Sequence, residues 1–474
     1  MSTAPDIRTE LDIRTDPRDP RYPAGPRLFS RLLTRQLFGT SRRQNPAEFM
    51  QSVARDFGDL THYNIAGRHF YQVNHPDLIA DFFTTDAPHH HRNLVMQRSR
   101  DVLGHGLLTS EEPLHMRQRR LAQPAFLRSR IASYADVIAS YTNAQMRRWS
   151  NGSTLDLHRE MLELALRIVG KCLFDLDEIN DLHAMESAVS SFMYFMPLSF
   201  VPFSRLVQAS PLPAMRRLRA GQRYLDELIY GVIAERRRDP RDRGDLLSML
   251  LQATDAEEGA ATNAAISMND TQLRDECVTI ILAGHETTAN ALSFALHLLA
   301  QHADVQQRLR DEALAVLGPD RPVTADDYPK LKYATQVFAE TMRLYPPVWV
   351  TARMCAEPYQ IAGFTIPKGA ALNAPQYALH RDPRWWTDPD RFDPDRFTDG
   401  AKQGRPRYAY FPFGGGSRQC IAEGLAWMEG TLLLAMLARQ FRFTPEPGAP
   451  ENIPISPSIT LRPTHGVRLS VDRT

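Results

Sequence analysis

Residues 413–422 read Phe413-Gly-Gly-Gly-Ser-Arg-Gln-Cys420-Ile-Ala422, a triple glycine and a cysteine at the head of an apolar helical pattern that runs to about Gln440. Glycines before a helix first suggest a phosphate cradle. That motif needs Gly-Lys-Ser/Thr at the helix start, and here Arg-Gln-Cys stands instead. A cysteine in this place meets free backbone N–H groups and the positive end of the helix dipole, which stabilise a thiolate. Such a thiolate is a nucleophile or a metal ligand. The competing reading is an ordinary buried cysteine, the commoner state of the residue. The flanking glycines weigh against it, because they let the backbone come close to whatever the sulfur holds.

Upstream, no proline occurs from Thr271 to about Ala300, with Asp270 as the expected N-cap. Its middle, CVTIILAG, is apolar all round, as in a helix buried through the centre of a large body. At the same place stands Ala283-Gly-His-Glu-Thr-Thr288. A zinc-protease helix would need a second histidine at position 289, which is alanine, so that reading fails. Glu286 and Thr287 remain. A buried carboxylate is costly unless it is paired, and perturbed acids in a core are functional candidates. The structural alternative is a polar pair that bends the helix.

Two weaker signals flank these. Glu340 and Arg343 are three apart and can share a helix face, though E-x-x-R alone equally describes a surface ion pair. His115 and Arg119 are four apart and could clamp a carboxylate, or form a solvated basic face. The histidine run His89–His91 reads as a surface or loop segment rather than a metal site. Elsewhere the pattern predicts a strand and helix over 68–84, two helices over 126–175, a helix over 211–238 and a surface loop over 254–268. Short strands follow over 350–375, and an irregular stretch over 381–418.

Composition limits the function. Lysine and arginine total 56 against 55 acidic residues, a net charge of +1 that gives no support for a nucleic-acid binder. The four cysteines, Cys172, Cys277, Cys355 and Cys420, are widely spaced, which argues against a disulfide scaffold and for a reducing, cytoplasmic location. The polar N-terminus lacks a signal peptide's apolar core, and no apolar run reaches the length of a membrane span. Residues 1–26 are expected to be a mobile arm before one folded domain, 27–474.

Taken together, these four segments resemble the cytochrome P-450 family, the haem-thiolate monooxygenases, in a soluble bacterial form. Phe413, Gly416, Arg418 and Cys420 match the family's F-x-x-G-x-R-x-C loop. Gly284, Glu286 and Thr287 match its oxygen-activation turn, Glu340 and Arg343 its E-x-x-R pair. Pro389, Phe392, Pro394, Arg396 and Phe397 match the segment whose arginine joins that pair. Two positions depart from the usual pattern: Ala422 replaces a glycine, and His115 a tryptophan.

The resemblance implies a mainly α fold with small β-sheets, built as a single large body around a long central helix and one haem b. No C-x-x-C-H motif is present, so the haem would be non-covalent. Cys420 would be its axial thiolate and Phe413 would shield the sulfur. His115, Arg119, Arg353 and Arg418 would hold the propionates. Ala283, Gly284 and Gly416 would lie against the cofactor. Glu286 and Thr287 would deliver protons, and Glu340, Arg343 and Arg396 would form a structural ion network.

The implied reaction inserts one atom of O2 into a hydrophobic small molecule, a fatty acid, terpene or polyketide-like compound, by hydroxylation or epoxidation. Such chemistry fits secondary metabolism. Leu94, Val95, Val348, Trp349, Val350 and Ile459, with the apolar stretch 192–203, would line the pocket. Electrons would come from a separate ferredoxin or flavin reductase, for which Arg117, Arg120, Arg405 and Arg407 offer a basic docking face. The protein would be a monomer. The alternatives are a peroxide-driven or isomerising haem-thiolate enzyme, or a non-catalytic haem sensor. Both would lack the acid–threonine pair that this chain carries.

Overall fold

The structure is a computed structural model that describes residues 11–26, 45–65, 67–176, 185, 187–189, 191–192, 210–255 and 266–474. Most of the apolar stretch 192–203 lies outside the described residues. The chain forms two compact units, each assembled from separate segments. One takes residues up to Asn93 with Met342–Phe392 and Thr398–Cys420. The other takes Leu94–Thr341, Asp393–Phe397 and Ile421–Thr474.

The first unit is built on a five-stranded sheet. Its strands, in spatial order, are Leu60–Ile65, Arg68–Val73, Ala371–Ala374, Thr351–Cys355 and His90–Arg92. Pairing is antiparallel except between Ala371–Ala374 and Arg68–Val73. The helix Pro76–Phe83 starts with proline, whose missing N–H costs nothing there, and His75 caps it by accepting from the Asp77 N–H at 3.2 Å. Tyr71, Ile79, Phe82, Ile366, Leu372 and Phe411 form the buried core beside it.

Two expectations change here. The histidine run is not a loop: His90–Arg92 is an edge strand paired with Thr351–Cys355. Two of its rings are bonded by residues remote in sequence, His89 Nδ1 to Glu357 at 3.0 Å and His90 Nε2 to the Tyr359 hydroxyl at 2.7 Å. Residues 11–26, expected within a mobile arm, instead pack on the sheet. Ile13 bridges to Gly58, and the Asp12 N–H donates to the buried Asp59 carboxylate at 2.7 Å. Tyr22 stacks on His62, with ring centres 4.4 Å apart. The polar composition of this segment hides the alternate apolar residues Leu11 and Ile13, which reach the core.

The second unit surrounds the helix Asp270–Gln301, 32 residues long, about 48 Å at ~1.5 Å per residue. Its cap is Asn269 rather than Asp270: the Asn269 side chain accepts from the Gln272 N–H, and the Gln272 side chain accepts from the Asn269 N–H. The helix is apolar all round because it is covered all round. It packs against Leu157–Phe174, Pro213–Arg238, Ala303–Leu317 and Glu423–Gln440. Segment 126–175 proves more divided than two helices. It holds Arg128–Ser133, Ala135–Arg147, a strand Ser153–Asp156 and the helix Leu157–Phe174. That strand joins Phe441–Pro445 and Arg468–Arg473 in a three-stranded sheet. The ends of segment 254–268 pair as two short strands, Thr254–Asp255 and Ile266–Ser267. Among the described residues no helix is long and apolar enough to cross a membrane.

Two buried acids shape the unit's response to pH. Burial alone pushes the Glu429 carboxyl, on Glu423–Gln440, up to about 8. Glu276 on the central helix is pushed equally far, to about 8, chiefly by burial. The folded state therefore keeps protons that the unfolded chain releases once the pH passes the ordinary carboxylate range. The contribution of these two acids to stability falls as pH rises from there toward 8. Urea midpoints measured at about pH 5 and about pH 8 should differ less in Glu429→Gln than in the wild type, because the amide cannot ionise. An unchanged difference would refute this.

Candidate active site

Of the four cysteines, Cys172, Cys277 and Cys355 are buried and Cys420 is exposed. Burial pushes all three buried thiols up, which suppresses their thiolates. Cys420 is thus the thiol placed to serve as a ligand. It lies three residues before Glu423, where the last helix begins, and its N–H closes the loop onto the Phe413 carbonyl at 3.0 Å.

The glycines before it have a structural reason that the sequence did not reveal. Gly416 has φ +66°, and a Cβ there would lie 2.0 Å from the Phe83 carbonyl oxygen. A Cβ on Gly415 would lie 2.7 Å from the Tyr408 ring. At these two positions the missing side chains let the loop press on the helix Pro76–Phe83 and on Tyr408. Ala422, where the resemblance leads one to expect glycine, has φ −94°, a value any L-residue adopts, so its Cβ brings no backbone strain.

The same unit holds Arg418, in the turn Gly416–Arg418, and Arg353, on the strand Thr351–Cys355, with its guanidinium 5.9 Å from the centre of the Phe82 ring. It also holds Val348, exposed, Trp349, buried, and Val350, half-buried.

Arg343 is fully buried at the end of the helix Lys332–Leu344. Its Nη1 donates to the carbonyls of His380 and Pro389, at 2.8 and 2.6 Å, and its Nη2 to that of Arg391 at 3.1 Å. The guanidinium lies 5.0 Å from the centre of the Trp386 ring. The Trp386 indole donates in turn to the Ala409 carbonyl at 3.3 Å. His380 Nε2 accepts from the Phe411 N–H at 2.9 Å, which requires a neutral ring. Burial, then the charges of Arg343 and Arg381, hold its pKa well below the usual range. In the second unit, Glu340 accepts from the Asp393 N–H at 2.9 Å and faces Arg396 at 3.4 Å. The expected partners of Glu340 and Arg343 are thus joined by a larger set, His380, Trp386 and Asp393. No local spacing marks these, because each acts through backbone groups far along the chain.

The central helix carries the most informative geometry. From Asp275 to Ala300 every residue is buried except Ala283, Gly284 and Thr287. These three, at i, i+1 and i+4, make one accessible window on a single face. Thr287 donates its hydroxyl to the Ala283 carbonyl at 2.7 Å, a back-bond that tends to bend a helix. A Cβ on Gly284 would lie 2.7 Å from Val169 Cγ2.

Glu286, expected to act together with Thr287, is buried on a different face. It accepts from the Thr460 hydroxyl at 2.7 Å, and Arg462 lies 3.9 Å away. Burial raises its carboxyl pKa, against the smaller opposing pull of Thr460 and Arg462. Thr460 was missed in the sequence, since 174 residues separate it from Glu286. Beside Thr460, Ile459 is half-buried, as are Leu94 and Val95 at the start of Leu94–Leu103. His115 is buried with Nδ1 held by Glu112 at 2.9 Å, so a propionate could be reached only by Nε2; Arg119 follows one turn later on Leu114–Ala122.

The family profile of the cytochrome P-450 proteins matches residues 23–470. Cyclooctatin synthase of Streptomyces melanosporofaciens is 35% identical over 413 residues, covering 85% of this chain and 87% of its own. Pentalenene oxygenase of Streptomyces avermitilis is 33% identical over 411 residues, covering 86% of this chain and 88% of its own. Among solved structures, retinoic acid-bound cyanobacterial CYP120A1 aligns with a TM-score of 0.80 and 25% identity, over 96% of this chain and 100% of that one.

Arg343→Lys should cost about 2–4 kcal/mol of stability, because a compact ammonium lacks the spread, planar fork that meets these three buried carbonyls and leaves acceptors unsatisfied. Urea unfolding followed by circular dichroism measures this. A loss below about 1 kcal/mol would show that the carbonyls find other donors.

Proposed function

This chain belongs to the cytochrome P-450 family and is a haem-dependent monooxygenase; on that premise we propose that it oxidises a terpene-like hydrocarbon at the window formed by Ala283, Gly284 and Thr287. That window carries the reading: it is the one accessible patch in the buried run of the central helix. Support for the substrate class comes from the relatives named for cyclooctatin and pentalenene, both terpenes. The apolar side chains of Leu94, Val95, Val348, Val350 and Ile459 suit such a molecule, which offers few hydrogen-bonding groups.

The residues fit a non-covalent haem b. The exposed Cys420 would be its ligand and Phe413 the shield of the sulfur. His115, through Nε2, and Arg119, Arg353 and Arg418 would bind the propionates by charge-assisted hydrogen bonds. Ala283, Gly284 and Gly416 would lie against the haem. When bound, the haem supplies the redox chemistry that places one oxygen atom of O2 in the substrate and releases the other as water, using two electrons from a separate ferredoxin or flavin reductase.

The protein's own part is proton handling and exclusion of water. The Thr287 oxygen stands at the window. Its proton, held by the Ala283 carbonyl, can turn toward a bound molecule. Glu286, through burial, keeps its proton to higher pH than an ordinary carboxyl. Arg120 and Arg407 are exposed and suit contact with an acidic donor, whereas Arg405 lies 3.9 Å from the Trp386 ring centre and is held there by packing.

Reduced protein under carbon monoxide should show the red-shifted Soret band of thiolate-ligated haem, and Cys420→Ser should lose it. Retention of that band in the variant would overturn the ligand assignment. Thr287→Ala should keep consuming electrons while product falls by about 100-fold or more, the range of one positioned proton donor. Product per electron should also decline as pH rises through the raised Glu286 value, since only the acid form donates. Glu286→Gln should remove that decline. Full coupling in Thr287→Ala would refute its role.

A further inference from the structure

Within the second unit an open cleft of about 380 Å³ lies between the helices Leu94–Leu103 and Pro213–Arg238 and the first turns of the central helix. Its walls carry four guanidinium groups, Arg100, Arg219, Arg223 and Arg274, against two carboxylates, Asp101 and Asp226. Two of the arginines are already committed. Arg274 donates through Nε to Asp226 at 2.6 Å, through Nη1 to Asp275 at 3.0 Å and through Nη2 to the Val102 carbonyl at 3.2 Å. Arg100 donates to the Thr109 carbonyl at 2.7 and 3.0 Å and to Glu111 at 3.0 Å.

The other pair is not so used. Among the described residues Arg219 makes one hydrogen bond, to the Ser210 carbonyl at 2.9 Å. Arg223, one turn further on the same helix face, makes none among the described residues. Both are exposed. Against them stands the exposed Asp101.

A second observation is independent of the cleft. The helix Pro213–Arg238 has no acidic residue in its first turn, yet its first three turns carry Arg216, Arg217, Arg219 and Arg223. Arg219 and Arg223, four apart on one helix face, repel each other. Folding does not reward this arrangement, whereas an anion bound among the side chains would.

We propose that this cleft binds a small oxyanion, the phosphate or carboxylate group of a soluble molecule. The forks of Arg219 and Arg223 take its oxygens, Gln222 adds an amide donor, and the committed Arg100 and Arg274 form the wall behind. The bound group ties Leu94–Leu103 and Pro213–Arg238 to the helix that carries Thr287, so it orders three elements of the unit at once.

Calorimetric titration of the holoprotein tests this, with inorganic pyrophosphate in one arm and succinate in the other, at ionic strength held constant with sodium chloride. Saturable binding of at least one probe is expected, and the tighter probe tells phosphate from carboxylate. The double variant Arg219→Gln/Arg223→Gln should weaken it by at least about tenfold, the loss expected for charged hydrogen bonds. Asp101→Asn should tighten it, because the substitution removes the opposing charge. All three side chains are exposed, so folding should survive, as circular dichroism can verify. No saturable heat with either probe would overturn the proposal, as would equal affinities in wild type, the double variant and Asp101→Asn.

Discussion

A guanidinium removed from water must be answered by acceptors that the chain itself supplies, and Arg343 sets that demand on everything around it. It has no exposed surface, and three backbone carbonyls, from His380, Pro389 and Arg391, converge on it. Removing a charge from water is costly unless its donors are met. Meeting them pins a segment that has almost no regular secondary structure to pin it otherwise. The order then passes along the segment. Trp386, stacked on the same guanidinium, holds the Ala409 carbonyl, and neutral His380 holds the Phe411 N–H. Two residues beyond Phe411 begins the glycine loop that ends at Cys420. These bonds answer backbone groups that the irregular segment does not pair within itself.

The central helix solves the opposite problem. Its backbone is satisfied internally, so its surface can be given almost wholly to packing. Function needs an opening in that packing. Ala283 and Thr287 stand at the window, and Gly284 lets Val169 pack close beside it. Glu286 and Thr287, adjacent in sequence, have different surroundings. Neighbouring positions on a helix differ by ~100°, so one side chain meets the window and the next meets Thr460 in the interior.

The resemblance drawn from four short segments predicted the fold class and the reaction class, and both hold. The sequence was legible where chemistry demands particular residues at short range: a thiol behind glycines, a polar pair in an apolar helix, an acid and an arginine three apart. It was misread where short-range appearance and long-range contact disagree. The polar N-terminal segment packs on the sheet through alternate residues, and the histidine run is an edge strand whose partners lie more than 260 residues away. Gly415 and Gly416 are required by Phe83 and Tyr408, which no inspection of the loop alone could indicate.

What the sequence determined by itself is thus the inventory: which helix is buried, which cysteine stands ahead of the last helix, which polar residues sit in apolar surroundings. Periodicity and residue chemistry are local properties, and they survive in a linear reading. Only the tertiary structure decided which cysteine remains exposed, which face of the central helix is open, and which carbonyls answer Arg343. Burial and hydrogen-bond partnership belong to pairs of residues brought together by folding, often more than a hundred positions apart, and no single stretch of chain contains both members.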